Sequence, residues 1–140
     1  MQVKWEGVMP AVTTKFDEND ALDLKMFEVN IKAQLEAGVN GIILGGTLGE
    51  ASTLTDDEKV TLIRETVRIV DNKIPVIINV AEQTTKGAIK AAAIAKENGA
   101  SGLMMLPPMR YKANDFETVT YFKEVANSTD LPIMVYNNPV

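Results

Sequence analysis

The chain has 140 residues, 46% apolar, 24% charged and 6% aromatic, the composition of an ordinary globular domain with a real core. Lys+Arg is 14 against Asp+Glu 19, a net charge of −5 scattered along the chain, which argues against nucleic acid and anionic membrane surfaces as partners. With no Cys and no His, disulfides, thiolate nucleophiles, Ser-His-Asp catalysis and the common Cys/His zinc sites are excluded, so no metal and no cofactor is expected. The segment Met1–Glu6 has no apolar core of a signal peptide, and no apolar stretch reaches the ~18 residues of a membrane span; the expected location is the cytoplasm.

In chain order, apolar runs alternate with amphipathic patterns. The runs are Gly7–Thr13, Gly41–Leu44, Pro75–Val80, Gly102–Leu106 and Pro132–Tyr136, each rich in Val, Ile, Leu or Met with little polar alternation. Such runs suit parallel strands buried on both faces. The first helix is expected over Asp23–Ala37, with Phe27, Ile31 and Leu35 on one face and Gly38 as its terminating glycine. The second opens on the capping box Thr55-Asp56-Asp57-Glu58 and runs to about Asp71, with Val60, Ile63, Val67 and Val70 facing inward. The third, Thr85–Asn98, carries Ile89 and Ile94 among alanines. The fourth, Asn114–Asn127, shows Phe116, Val119, Phe122 and Val125.

The resulting order is βαβαβαβαβ. A two-unit echo runs through it: Glu36-Ala37-Gly38-Val39-Asn40-Gly41 recurs as Glu97-Asn98-Gly99-Ala100-Ser101-Gly102, and Ile74-Pro75-Val76 recurs as Leu131-Pro132-Ile133. A barrel whose interior layers come from alternate strands produces such an echo; so does local reuse of Gly and Pro in turns. Two architectures fit: an open doubly-wound sheet, or the first five strands and four helices of a (β/α)8 TIM barrel, which takes about 250 residues. The end at Asn138-Pro139-Val140, just past a strand, favours residues 1–140 as the N-terminal portion of one barrel domain.

In either architecture ligands gather at the carboxyl ends of the strands. There Gly45-Gly46-Thr47-Leu48-Gly49-Glu50 leaves a strand and precedes a capped helix. Its glycines let backbone N–H groups converge on a carboxylate or phosphate, and it matches neither a Walker A loop nor G-x-G-x-x-G. Tyr136 ends the fifth run on the same face as Pro132 and Met134. As a buried phenol it needs a partner, for which Thr47 is the candidate; the alternatives are a proton relay or a satisfied core tyrosine. Asp17-Glu18-Asn19-Asp20 lacks the glycine and terminal Glu of a calcium loop and reads as a solvated turn. Glu82 and Arg110 fall on the same ligand face, and Lys112 reads as the only lysine there.

The succession Gly7-Val8-Met9-Pro10-Ala11-Val12-Thr13-Thr14-Lys15-Phe16, then Gly38-Val39-Asn40-Gly41, Gly46-Thr47-Leu48-Gly49-Glu50 and Leu131-Pro132-Ile133-Met134-Val135-Tyr136-Asn137-Asn138-Pro139 resembles the dihydrodipicolinate synthase / N-acetylneuraminate lyase family. The resemblance covers the whole chain. It implies a (β/α)8 barrel and class I aldolase chemistry, in which a lysine condenses with a 2-oxo acid to a Schiff base. It implies that Thr47 bonds the tyrosine and holds the substrate carboxylate with the backbone of Gly46, Thr47 and Leu48, and that Tyr136 is the general acid/base. It also implies a small 2-oxo acid substrate, a homotetramer and a Schiff-base lysine beyond residue 140. Three positions depart from the family pattern: Leu48 stands for a second Thr, Arg110 aligns where a Tyr is usual with Tyr111 one step away, and Asn79-Val80-Ala81-Glu82-Gln83-Thr84-Thr85 replaces a glycine-rich loop. The first two depart from a true dihydrodipicolinate synthase, whereas Ala81-Glu82-Gln83-Thr84-Thr85 and Tyr136-Asn137-Asn138-Pro139 resemble the branch of hydroxy-pyrroline-carboxylate deaminases and related 2-oxo-acid dehydratases or aldolases. The alternative from another class is a catalytically incomplete half-barrel that binds a carboxylate or assembles with a partner.

Overall fold

A computed structural model describes residues 3–110 and 112–137. Four strands, β1 (Ile42–Leu44), β2 (Val76–Val80), β3 (Gly102–Met105) and β4 (Ile133–Val135), form one parallel sheet in sequential order β1-β2-β3-β4. Each is reached through a helix: α1 (Leu24–Glu36), α2 (Asp56–Val70), α3 (Thr85–Glu97) and α4 (Asp115–Ser128). Register runs straight across, with Ile43 opposite Ile77, Asn79 opposite Met104 and Met104 opposite Met134. Sequential order with no reversal rules out the doubly-wound alternative, which needs a switch point in strand order. It is the winding of a (β/α)8 barrel.

The two faces of the sheet confirm this. One core joins the sheet to the helices and holds Ile42, Leu44, Val76, Leu103 and Met105 with Phe27, Ile31, Ile63 and Val125. The other contains only non-helical side chains, Val3, Ile43, Ile77 and Met104, with Met9 and Met134 against them. Helices cover one face, and the other packs only strand and loop side chains, as the inner face of a barrel wall does.

The first apolar run, Gly7–Thr13, is not a regular strand. It touches β1 through a single parallel bridge, Ala11 to Ile43, with Val12 N–H donating to Ile43 O (3.0 Å) and Ile43 N–H to Pro10 O (2.9 Å). Pro10 has no N–H to extend the ladder. Gly7 (φ +82°) turns the chain so that Val8 N–H donates to the Asn40 side chain instead (2.8 Å). The run still occupies the flank of β1 away from β2, the place of a first barrel strand.

The helix ends follow the sequence closely. Asp23 caps α1 by accepting from Met26 N–H (2.9 Å), and the Thr55–Glu58 capping box is formed in full. A second capping box, Asn114 with Glu117, opens α4. Buried faces depart further from expectation. In α3 the buried residues are Ala88, Ala92 and Ala95, with Ile89 and Ile94 only half-buried, so the helix lies close on the sheet through its methyls. In α2, Leu62, Thr66 and Ile69 join Ile63 and Val70 in the core, while Val60 and Val67 sit at its margin. In α4, Tyr121 and Val125 are buried, Phe122 is half-buried, and Phe116 and Val119 are exposed. The inward face is thus rotated from the Phe116–Val119–Phe122 stripe toward Tyr121.

Candidate functional site

At the carboxyl ends of the strands a cavity of about 440 Å³ opens. Gly46, Thr47, Leu48 and Tyr136, the residues singled out from sequence, all line it. The loop that carries the first three is built by local chemistry. Gly45 takes φ +64°, open to a residue without Cβ, and Thr47–Gly49 then forms one turn of 3-10 helix closed by Gly49 N–H to Gly46 O (2.9 Å). Glu50 leaves the turn in the left-handed region at φ +56°.

This turn uses up the amides of Gly49 and Glu50, whereas those of Thr47 and Leu48, at its start, have no acceptor among the described residues. Unspent N–H groups at a turn or helix start favour an anion. Two side chains from neighbouring strand ends hold the loop. Asn79, at the end of β2, donates Nδ2–H to Gly45 O (2.8 Å). The buried Thr14 hydroxyl donates to Gly49 O (2.7 Å). At Gly49 a Cβ would come within 3.0 Å of Val12 O, so the loop packs against the first apolar run without room for a side chain. The remaining acceptor of Asn79, Oδ1, is buried without a partner and belongs to a residue lining the cavity.

Tyr136 extends β4, its N–H donating to Met105 O (2.8 Å), and follows Met134 on the interior face. Its side chain is 46% exposed, and no hydrogen bond joins it to Thr47 among the described residues. The expected buried tyrosine with a Thr47 partner is therefore corrected: the two residues share a cavity, not a bond. No further strand pairs with β4 among the described residues. Asn138, Pro139 and Tyr111 lie outside the described residues.

Lys112 is not among the residues lining the cavity. The lysine there is Lys59, on the first turn of α2, whose ammonium lies 3.9 Å from Glu82 Oε1. Sequence reading missed it because α2 begins after a loop, and only the fold turns that helix start toward the strand ends. Of the other residues on the ligand face, Glu82 lines the cavity, whereas Arg110 does not and makes a backbone contact, its N–H donating to Gln83 Oε1 (3.2 Å). Thr84 caps α3 by accepting from Gly87 N–H (3.0 Å). Tyr121 lies beneath the same loop, its hydroxyl donating to Glu82 O (3.4 Å); burial, reinforced by the Glu82 charge, pushes its pKa up to about 12. Asp17 accepts from Asn19 and Ala21 N–H within its own turn, as a solvated turn would.

Residues 4–140 match the dihydrodipicolinate synthetase family. The 4-hydroxy-tetrahydrodipicolinate synthase of Thermotoga neapolitana is 38% identical over 135 residues, covering 96% of this chain and 46% of that protein. The crystal structure of a dihydrodipicolinate synthase from Bacillus anthracis superposes with TM-score 0.93 at 33% identity, over 97% of this chain and 47% of that one. YagE, a prophage protein of E. coli K12 belonging to the dihydrodipicolinic acid synthase family and solved in complex with pyruvate, superposes with TM-score 0.92 at 31% identity, over 98% and 46%. The chain thus spans about half the length of the relatives it matches. On the family match along its length, and on a sheet that winds and curves as theirs do, the chain belongs to the dihydrodipicolinate synthetase family.

Proposed function

We propose that the protein, at its natural length, is a class I aldolase-type lyase acting on a 2-oxo acid of the pyruvate type or on a related cyclic imine. In this reading residues 1–140 are the N-terminal portion of one barrel domain, and a lysine beyond residue 140 is the nucleophile. Its amine adds to the substrate carbonyl and expels water, leaving an imine whose protonated form withdraws electrons from the adjacent carbon. The free amides of Thr47 and Leu48, the Thr47 hydroxyl and the Gly46 backbone hold the carboxylate. Tyr136, on the opposite wall, gives and takes protons at the reacting atoms as general acid/base.

The observation that carries this reading is the convergence of an unspent amide pair and a phenol on one cavity, in a chain of this family. The pyruvate complex of YagE supports the substrate class. Leu48 and Arg110 weigh against synthesis of dihydrodipicolinate, and the Ala81–Thr85 segment and the Tyr136–Pro139 variant support the dehydratase, deaminase or aldolase branch. A cytoplasmic homotetramer completes the proposal; light scattering of the purified protein tests its mass.

The chemistry is tested by borohydride reduction in the presence of pyruvate. A reduced pyruvyl adduct on one lysine beyond residue 140 is expected, located by peptide mass spectrometry. Absence of an adduct with pyruvate and with longer 2-oxo acids would sink the proposal and leave a carboxylate-binding barrel without covalent chemistry.

A further inference from the structure

We infer that Asn79 and Thr14 are positioning residues: from two sides they engage the carbonyls of Gly45 and Gly49, and so hold the loop between them in the form that offers its amides to a carboxylate. This inference rests on the Schiff-base reading above and deepens it. An anion is repelled by carbonyl oxygens as it is attracted by N–H groups, so a loop that binds one needs its carbonyls engaged elsewhere. Within the loop, Gly46 O accepts from Gly49 N–H (2.9 Å) and Thr47 O from Glu50 N–H (3.1 Å). Just after it, Glu50 O accepts from Thr53 N–H (2.9 Å). Two carbonyls are served instead by side chains from outside. Gly45 O accepts from Asn79 Nδ2–H (2.8 Å), and Gly49 O accepts from the Thr14 hydroxyl (2.7 Å).

Each clamp comes from a separate segment and has little freedom. Asn79 stands in β2 opposite Met104 of β3, so the sheet fixes its backbone. A carbonyl can only accept, so the amide nitrogen of Asn79 must face Gly45 O and its oxygen must face the other way. There Oδ1 is enclosed by the chain itself and has no donor. A buried acceptor without a donor weakens the fold, so this side chain satisfies the loop at its own expense, as residues kept for a site do. The peptide is planar and trans, so turning Gly45 O toward Asn79 turns Gly46 N–H the opposite way and sets where Thr47 begins the turn. At the other end the Thr14 side chain is buried, and its hydroxyl donates to the loop. Both ends are closely seated: a Cβ on Gly45 would lie 3.3 Å from Ile78 Cδ1, and one on Gly49 3.0 Å from Val12 O. Amides fixed before the ligand arrives bind it without a further cost of ordering.

The test uses the protein at its natural length and two probes, pyruvate and hydroxyacetone, trapped by borohydride over a concentration series. The probes share a carbon skeleton, and only pyruvate has a carboxylate. Asn79→Leu keeps the size and branching of the side chain and removes its amide. It should raise the half-saturating concentration of pyruvate about three- to tenfold, and leave that of hydroxyacetone and the maximal trapping rate within about twofold. Thr14→Val should give the same split. Thr14→Ser, which keeps the hydroxyl, should return pyruvate to within about twofold of wild type. A melting curve for each variant separates misfolding from loss of the clamp. For Asn79→Leu the midpoint should stay close to that of wild type, because one bond and one stranded acceptor disappear together. Equal shifts for both probes, or none, would overturn the positioning role while the Schiff-base reading stands. No adduct with either probe in wild type would overturn both.

Discussion

Asn79 carries two duties in one amide: Nδ2–H holds Gly45 O, and Oδ1 is left without a donor beside the cavity. Asn79→Ala is expected to free the loop and raise the half-saturating concentration of a 2-oxo acid about three- to tenfold, with a smaller change in maximal rate. Asn79→Asp should do more, since it sets a carboxylate against Gly45 O and beside the anion site. Thr14→Val removes the hydroxyl that donates to Gly49 O and should cost about 1–2 kcal/mol by thermal or urea unfolding. If Tyr136 is the general acid/base proposed above, Tyr136→Phe lowers turnover by about 10²- to 10⁴-fold while carboxylate binding persists. Gly46, Thr47, Leu48 and Tyr136 were legible in the sequence because their motifs are contiguous. Lys59 was not singled out, and Thr14 and Asn79 were named only within longer motifs, because their relation to the loop exists only after separate segments converge.

Among the elements, caps were easier to read than faces. A cap depends on three or four adjacent residues, as Thr55 to Glu58 illustrates, whereas a face depends on which neighbour the helix meets. The α4 stripe held in its second half for that reason: Val125 is buried and Phe122 packs against the core beside Tyr121, whereas Phe116 and Val119 are exposed. The α3 isoleucines gave way to alanines because a helix seated close on a sheet leaves room only for methyls. Ala92→Leu should therefore destabilise by about 1–3 kcal/mol through overpacking, more than the same change at exposed Ala93. Thr55→Ala should cost about 1 kcal/mol in a melting experiment. Backbone and side-chain bonds from Thr55 hold the Glu58 carboxyl below the usual carboxylate range. The stability this contributes is present above the ordinary glutamate pKa and is lost as pH falls through the depressed value, so the gap between wild type and Thr55→Ala should narrow in acid.

At the scale of the whole molecule, strand order was the decisive new fact. Alternation of runs and helices left two architectures open, the family resemblance implied the barrel, and the unreversed pairing β1-β2-β3-β4 with helices on one face bears it out. Alkaline stability is another property of the assembled fold. Tyr121 is held protonated to about pH 12, chiefly by burial. Because its folded pKa is raised, its contribution is full below about pH 10, the unfolded value, and disappears as pH climbs toward 12. Alkaline unfolding should begin in that window and be blunted in Tyr121→Phe, followed by absorbance of ionised phenol and by circular dichroism.

The chain holds a single tryptophan, and it sits at the end of the sheet remote from the cavity: a Cβ on Gly102, at the start of β3, would lie 3.3 Å from Trp5 Cη2. Nature has thereby placed a fluorophore where ligand chemistry does not reach. Its emission should stay constant while the rim is titrated and move only when the staves part, so one optical signal distinguishes occupancy from collapse without any label.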